Sequence, residues 1–285
     1  MRRGADVGPN DNCMEPRLAI SGSSSKTTDF LHTDDGVGGP RRQEAGPRAT
    51  QLVDLTHDPT GLPAVSLVIP ALNEADNIGF VLDRIPKWVD EVLIVDGAST
   101  DDTVAVARRH RADVRVVVQS GKGKGDALRC GFEAATGDVI VMLDADGSTD
   151  PAEIPRFVAA LRTGADFAKG SRFITGGGSV DISPHRQLGN RLLIALVNLL
   201  WGVSFTDLCY GYNAFWRRHL PQLQIESSGF EVETMLNIKA IKANLTVVEV
   251  ASFESGRRNG ASNLIARRDG LRVLRTILAE WIRPR

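Results

Sequence analysis

Two aspartates one residue apart, Asp144 and Asp146 in D-A-D-G, follow directly on the apolar run V-I-V-M-L at Val139 to Leu143. A short apolar run bounded by turn residues reads as a buried strand. Both carboxylates therefore leave a sheet edge together, and a turn can aim them at one point. Hard oxygen ligands of this kind suit Mg²⁺ or Mn²⁺, ions that keep places for water and phosphate oxygens. A metal-bridged diphosphate is the group such a pair would hold. D-x-D alone is common, and its position at a strand end is what gives it weight.

Other segments add to this chemistry. V-D-G-A-S-T-D-D-T places Asp96 at the end of a second apolar run. Ser99, Thr100 or Asp101 can cap the helix that follows, whose N-terminus favours anions. S-G-K-G-K-G-D-A, from Ser120 to Ala127, does not fit G-x-x-x-x-G-K-[ST]. Two readings stay open there: a tight loop near a nucleotide with Lys122 or Lys124 at phosphate, or a plain flexible loop. Glu231 and Glu233 in G-F-E-V-E-T are placed to act as a general base for a hydroxyl acceptor. The alternative is one carboxylate on a cleft and one on a solvated helix face.

The elements that position these groups alternate. Val65–Pro70, Glu91–Asp96, Val114–Val118 and Val139–Leu143 read as strands. Glu74–Ile85, Asp101–Arg109 and Asp126–Ala135 read as helices between them. Such alternation predicts an α/β fold with a mostly parallel sheet flanked by helices, and ligands beyond the carboxyl ends of the strands. The second half is less regular. Leu192–Phe205 is strongly apolar but too short to span a bilayer, so it reads as a core helix or as one resting on a membrane surface.

Composition sets the remaining bounds. The 285 residues carry a net charge of −1, which gives no support to a nucleic-acid binder. Cys13, Cys130 and Cys209 are scattered and odd in number, so a disulfide framework is not expected. The five histidines show no paired metal spacing. Residues 1–62 are polar and rich in Gly, Ser and Pro, and read as a disordered tail. Arg2 and Arg3 are not followed by an apolar signal region. Neither a signal peptide nor a transmembrane helix is expected, which points to the cytoplasm or the cytoplasmic membrane face. Residues 63–255 would form the main domain. Residues 256–285 carry eight arginines against two acids, with Leu271, Leu274, Leu278 and Trp281 beside Arg268, Arg272 and Arg275 on a helical wheel. That composition fits a helix packed on the domain or lying on anionic lipid.

Taken in order, these segments resemble the family-2 inverting glycosyltransferases of the GT-A fold, and among them the dolichyl-phosphate mannose synthases and related polyprenyl-phosphate glycosyltransferases. V-I-P-A-L-N-E (Val68 to Glu74) resembles the family's first strand and nucleotide loop, L-I-V-D-G-A-S-T-D-D-T its second, and V-M-L-D-A-D-G the strand leading to the metal site. K-G-S-R at Lys169, D-L-C-Y-G-Y-N-A-F at Asp207, G-F-E-V-E-T-M-L at Gly229 and R-R-N-G-A-S-N-L at Arg257 are similar to segments of the polyprenyl-phosphate enzymes. Ser148, Asn190 and Asn263 depart from the related pattern, and none of these departures removes the acidic pair.

The resemblance implies that Pro70, Asn73, Glu74 and Asp96 line a nucleoside pocket, with Lys124 or Asp126 near the base or ribose. Asp144 and Asp146 would hold the donor diphosphate through Mg²⁺ or Mn²⁺. Arg172, Arg186 and one of Arg257 and Arg258 would contact acceptor or donor phosphate, with Ser262 in the same loop. Asp144, Asp146, Arg172 and Glu231 form the implied catalytic set. The implied reaction is inverting, metal-dependent transfer of a hexose from a GDP-mannose- or UDP-glucose-type donor to a polyprenyl phosphate, with peripheral membrane contact. The alternative acceptor is a hydroxyl of a soluble natural product or glycan. A sugar-phosphate nucleotidyltransferase would carry a G-x-G-T-R-L-type loop near the first strand, and this chain has none.

Overall fold

The computed structural model describes residues 61–261 and 264–283. All but the last two residues of the expected tail, and Cys13 with them, lie outside the described residues. The first half alternates as its apolar runs require: β1 (Val65–Ala71), α1 (Ala75–Asp83), β2 (Glu91–Asp96), α2 (Thr103–His110), β3 (Arg115–Val118), α3 (Lys124–Ala134) and β4 (Val139–Met142). Next come α4 (Ile154–Arg162), β5 (Phe167–Ser171), a short β6 (Gly178–Ser179), α5 (Pro184–Trp201) and β7 (Asn213–Trp216). The chain closes with α6 (Val232–Lys242), β8 (Val247–Ala251), β9 (Phe253–Glu254) and α7 (Ala266–Ile282).

Seven strands form one sheet in the order β3-β2-β1-β4-β7-β5-β8. All neighbours are parallel except β7, which runs antiparallel to both β4 and β5. Burial on both faces explains the continuous apolar runs. Side chains alternate across β1: Leu67 and Ile69 join one core cluster, and Val68 joins the other. From β1 the chain steps outward through β2 to β3, then returns to β4 on the other side of β1. The strand order therefore reverses between β1 and β4, the place where open α/β sheets leave a crevice. Register sets Ala71 opposite Asp96 and Val68 opposite Met142, so the carboxyl ends of β2, β1 and β4 stand side by side.

The apolar Leu192–Phe205 stretch falls mostly within α5. Ile194 and Val197 pack with Phe205, Leu208, Ile238, Val273 and Ile277 in a third core cluster. Leu192 and Leu199 on the same helix remain 65% and 80% exposed. No helix among the described residues is long and apolar enough to cross a membrane.

Just past β5, Arg172 occupies a different place from the one expected. Its Nε and Nη2 donate to the two carboxylate oxygens of Asp207 at 2.7 and 2.9 Å, and its Nη1 donates to Glu254 at 3.0 and 3.1 Å. Tyr210 lies 4.9 Å from the guanidinium, and the arginine is buried. Its fork is taken up inside the protein by these two carboxylates, and Arg172 serves there as an internal anchor. A planar fork matches a carboxylate as well as a phosphate, and the partners here are 35 and 82 residues away in sequence. Asn190 adds a bond to Asp207 at 3.1 Å and so ties α5 to the same anchor.

Burial alone would push the Asp207 carboxyl up, but the hydrogen bonds and charge of Arg172 outweigh it and hold it below the ordinary value. A lowered native pKa contributes stability that is complete above the unfolded value and is lost as pH falls through the native one. Arg172→Met should therefore cost about 3–5 kcal/mol of unfolding free energy in urea at neutral pH, because it strands buried carboxylates. The gap to the wild type should narrow only below about pH 4.

Candidate active site

At the end of β1 the chain turns through Asn73, a non-glycine residue with φ 55°. Its own bonds hold it there: the Asn73 N–H donates to Ser99 Oγ at 3.0 Å, and its Oδ1 accepts from the Thr100 N–H at 2.8 Å. The loop after β1 is thereby tied to the loop after β2. In that second loop the buried Asp96 accepts from the Ser99 N–H at 3.3 Å. Pro70 is half-buried opposite Val95. Glu74 accepts from Asn77 Nδ2 at 2.6 Å and, on its other oxygen, from Arg257 Nη2 at 2.6 Å.

Past β4, Asp144 and Asp146 stand at the same edge, with side chains 31% and 21% exposed. Asp146 Oδ1 accepts from the Ser148 N–H at 2.9 Å, a turn that leaves its Oδ2 facing Arg257 Nη1 at 3.3 Å. Arg257 thus bridges the β1 loop and the D-A-D-G turn. Its neighbours fasten the same segment. Arg258 lies 3.8 Å over the Phe80 ring, and the Asn259 N–H donates to Asn77 Oδ1 at 3.0 Å. Among the described residues no group of three or more His, Cys, Asp and Glu side chains could cage a metal. Two partly open carboxylates at one strand end still fit Mg²⁺ or Mn²⁺, which draw their remaining ligands from water and substrate phosphate.

The glycine-rich segment is a tight loop, as the first of its two readings has it, and a second stretch of backbone is what makes it tight. A Cβ on Gly123 would fall 2.1 Å from the Ser228 carbonyl oxygen, and one on Gly125 would fall 2.1 Å from that of Ser227. The Gly125 N–H donates to the Ser228 carbonyl at 3.1 Å. The glycines let a second backbone close over the start of α3. Asp126 secures the loop from below, accepting from the Gly121 N–H at 2.6 Å and pairing with Arg129. Lys124 points inward, with its Nζ 2.6 Å from Asp144 Oδ1 and 2.6 Å from Glu233 Oε1. Burial pushes the Glu233 carboxyl up against the opposing pull of Lys124.

The structure thus brings together Glu74, Lys124, Asp144, Asp146 and Arg257 from the expected set. Glu233, and not Glu231, joins them through Lys124. Glu231 and Glu233 are two residues apart, about 200° around a helix, so only one of them can face Lys124. Glu231 is also buried, with one oxygen accepting from the Gly229 N–H at 3.1 Å and the other unpartnered. Arg186 lies apart in the first turn of α5, paired with Asp181 at 3.3 Å. Ser262 lies outside the described residues.

Residues 66–223 match the model of glycosyl transferase family 2. The chain belongs to that family. Among curated family-2 relatives, a glycosyltransferase AglJ of Haloferax volcanii is 32% identical over 215 residues, covering 73% of this chain and 68% of its own. A polyprenol monophosphomannose synthase of Mycolicibacterium smegmatis is 32% identical over 229 residues, covering 75% of this chain and 85% of its own. An uncharacterized glycosyltransferase of Mycobacterium bovis reaches 45% identity over 109 residues, although this chain spans only about half of its length (49%). The solved glucosyl-3-phosphoglycerate synthase of Mycobacterium tuberculosis, in complex with Mn²⁺, uridine diphosphate and phosphoglyceric acid, aligns with a TM-score of 0.64. Its sequence identity is 25%, over 80% of this chain and 81% of that one. The mostly parallel sheet flanked by helices is the GT-A fold of this family.

The close approach at the glycine loop yields a direct test. Gly125→Ala should cost about 2–3 kcal/mol in urea unfolding, because a methyl group cannot share the space of a backbone carbonyl. Gly164→Ala meets no steric neighbour, but its φ of 113° strains it. Gly256→Ala, with open space and no such φ, is the neutral control.

Proposed function

We propose that this chain transfers a hexose from a nucleotide sugar of the GDP-mannose or UDP-glucose type to a polyprenyl phosphate, inverting the anomeric carbon and requiring Mg²⁺ or Mn²⁺. The observation that carries it is the convergence of Glu74, Asp144, Asp146 and Arg257 at the β1–β4 crevice. The named relatives support the acceptor class, since the Mycolicibacterium enzyme is a polyprenol monophosphomannose synthase. An undecaprenyl-phosphate mannosyltransferase of Micrococcus luteus, 32% identical over 212 residues, supports it as well.

Asp144 and Asp146 would hold the divalent ion, which supplies positive charge to the diphosphate as the C1–O bond breaks. The chain's own groups do the rest. Asn73 and Asp96 shape the rim on which a nucleoside would lie. Arg257, already on two carboxylates, can turn its fork to phosphate oxygens. The acceptor oxygen attacks C1 from the face opposite the departing diphosphate, so an α-linked donor gives a β-linked product. A phosphate acceptor is already an anion and needs no general base. It needs cations, and Arg258 and Arg272 stand exposed on this side of the chain.

Peripheral membrane contact belongs to the same proposal. Leu188, Leu192 and Leu199 of α5 fall within about 40° on the helical wheel and are exposed. Leu271, Leu278 and Trp281 form a second exposed row on α7, flanked by Arg268, Arg272 and Arg275. The two helices pack on each other. Apolar rows with arginines alongside fit an anionic lipid surface.

A second reading keeps the donor chemistry and changes the acceptor to a hydroxyl. The unpartnered buried oxygen of Glu231 favours it, since a carboxylate with one oxygen unbonded keeps a place for a proton from a hydroxyl. Incubation with labelled GDP-mannose or UDP-glucose, Mn²⁺ and a polyprenyl phosphate separates the two. EDTA-sensitive label in the organic phase is the expected result, and label confined to water-soluble products would favour the hydroxyl acceptor. Asp146→Asn should lower that transfer by roughly 10²–10³-fold. Its unfolding free energy should stay within about 1 kcal/mol of wild type.

A further inference from the structure

Lys124 is an unusual group to find at a strand-end acid. Its side chain is 11% exposed, and two carboxylates compete for it: Asp144, 31% exposed, and Glu233, 4% exposed. The surroundings leave it little freedom. The Ser227–Gly229 backbone closes over its helix turn, and the Phe230 ring lies 5.9 Å from its Nζ. A Cβ on Gly211 would fall 2.8 Å from Asp144 Oδ2 and 3.0 Å from Lys124 Nζ, so a side chain there would press on this pair. One ammonium serves two carboxylates, and the residual negative charge lies toward the more open acid, Asp144.

We propose that Lys124 is a positioning residue that stands in for the divalent cation at Asp144 and yields that carboxylate when the ion arrives, with Glu233 retaining the ammonium. This rests on the reading of Asp144 and Asp146 as metal ligands. An ammonium hydrogen-bonded to Asp144 Oδ1 and a divalent ion on the same carboxylate repel each other at short range. Without Glu233 the lysine would have no second anchor and would stay on Asp144. With Glu233 it needs to move only slightly, and it remains beside the place where a leaving diphosphate gathers charge. Glu233 thus acts on the metal site through Lys124.

The test is Mn²⁺ titration by calorimetry, paired with thermal unfolding with and without Mn²⁺ and uridine diphosphate, on the full chain. Lys124→Met should lower the Tm of the metal-free protein by several degrees. It should bind Mn²⁺ about tenfold more tightly, and Mn²⁺ should restore most of the lost Tm. Lys122→Met removes the same charge from an exposed site two residues away and should stay within twofold of wild type. Glu233→Gln should bind Mn²⁺ about tenfold more weakly. A Lys124→Met protein whose lost Tm is not restored by Mn²⁺, with unchanged affinity, would make the lysine purely structural and overturn the proposal. So would equal tightening in Lys122→Met. Should Lys124→Met fail to fold, Glu233→Gln decides alone, and Mn²⁺ affinity equal to or tighter than wild type overturns the proposal. Absence of Mn²⁺ binding by the wild type, with or without uridine diphosphate, removes the metal reading itself and this inference with it.

Discussion

Carboxylates crowded at the end of a buried sheet lose hydration and repel one another, and both costs must be met by cations from elsewhere in the chain. Among the described residues, three clusters around this sheet meet them in the same ratio, one basic side chain to two acids. Lys124 joins Asp144 to Glu233, Arg257 joins Glu74 to Asp146, and Arg172 joins Asp207 to Glu254. Each group is left with an excess of one negative charge. In the first two groups that excess opens on the crevice between β1 and β4, where a divalent ion and a diphosphate would meet it. In the third it is buried and satisfied by further bonds from Asn190 and the Arg172 N–H. The same electrostatic unit thus lies open to the crevice where it is shallow and serves architecture where it is deep.

The first half of the molecule was legible because its information is local. Apolar runs of strand length, separated by helical stretches, specify β1 to β4 whatever follows them, and Asp96 and Asp144 stand at strand ends because those runs stop there. Partnership was not legible. Arg172 has the residue type of a phosphate ligand, but its carboxylates come from segments that only the folded sheet brings near. The glycines at 123 and 125 signal a tight place, and what makes it tight is a backbone a hundred residues later. Glu231 and Glu233 could be separated by helical phase alone, once the start of α6 at Val232 was known.

The Leu192–Phe205 stretch reads as a core helix or as one resting on a membrane surface, and α5 has one face in the core and another exposed. One face supplies Ile194 and Val197 to a core shared with α6 and α7, and the opposite face leaves its leucines in the open. A helix apolar on two sides has no periodicity strong enough to favour either reading. The resolution came from tertiary neighbours, chiefly Val273 and Ile277 of α7.

The one reversed strand in the sheet has a wider consequence. Because β7 runs against β4 and β5, the chain leaves the sheet at the carboxyl end of β5 and re-enters it at that same edge. Everything between, including α5 and the Asp207–Gly211 approach to Asp144, is a loop rooted at both ends on the rim of the crevice. Such an excursion can grow, shrink or be exchanged without shifting the register of any strand. The strands β1, β2 and β4 would keep their pairing through such a change. A sheet wired this way separates the strands that carry the acidic turn from the long segment that approaches it.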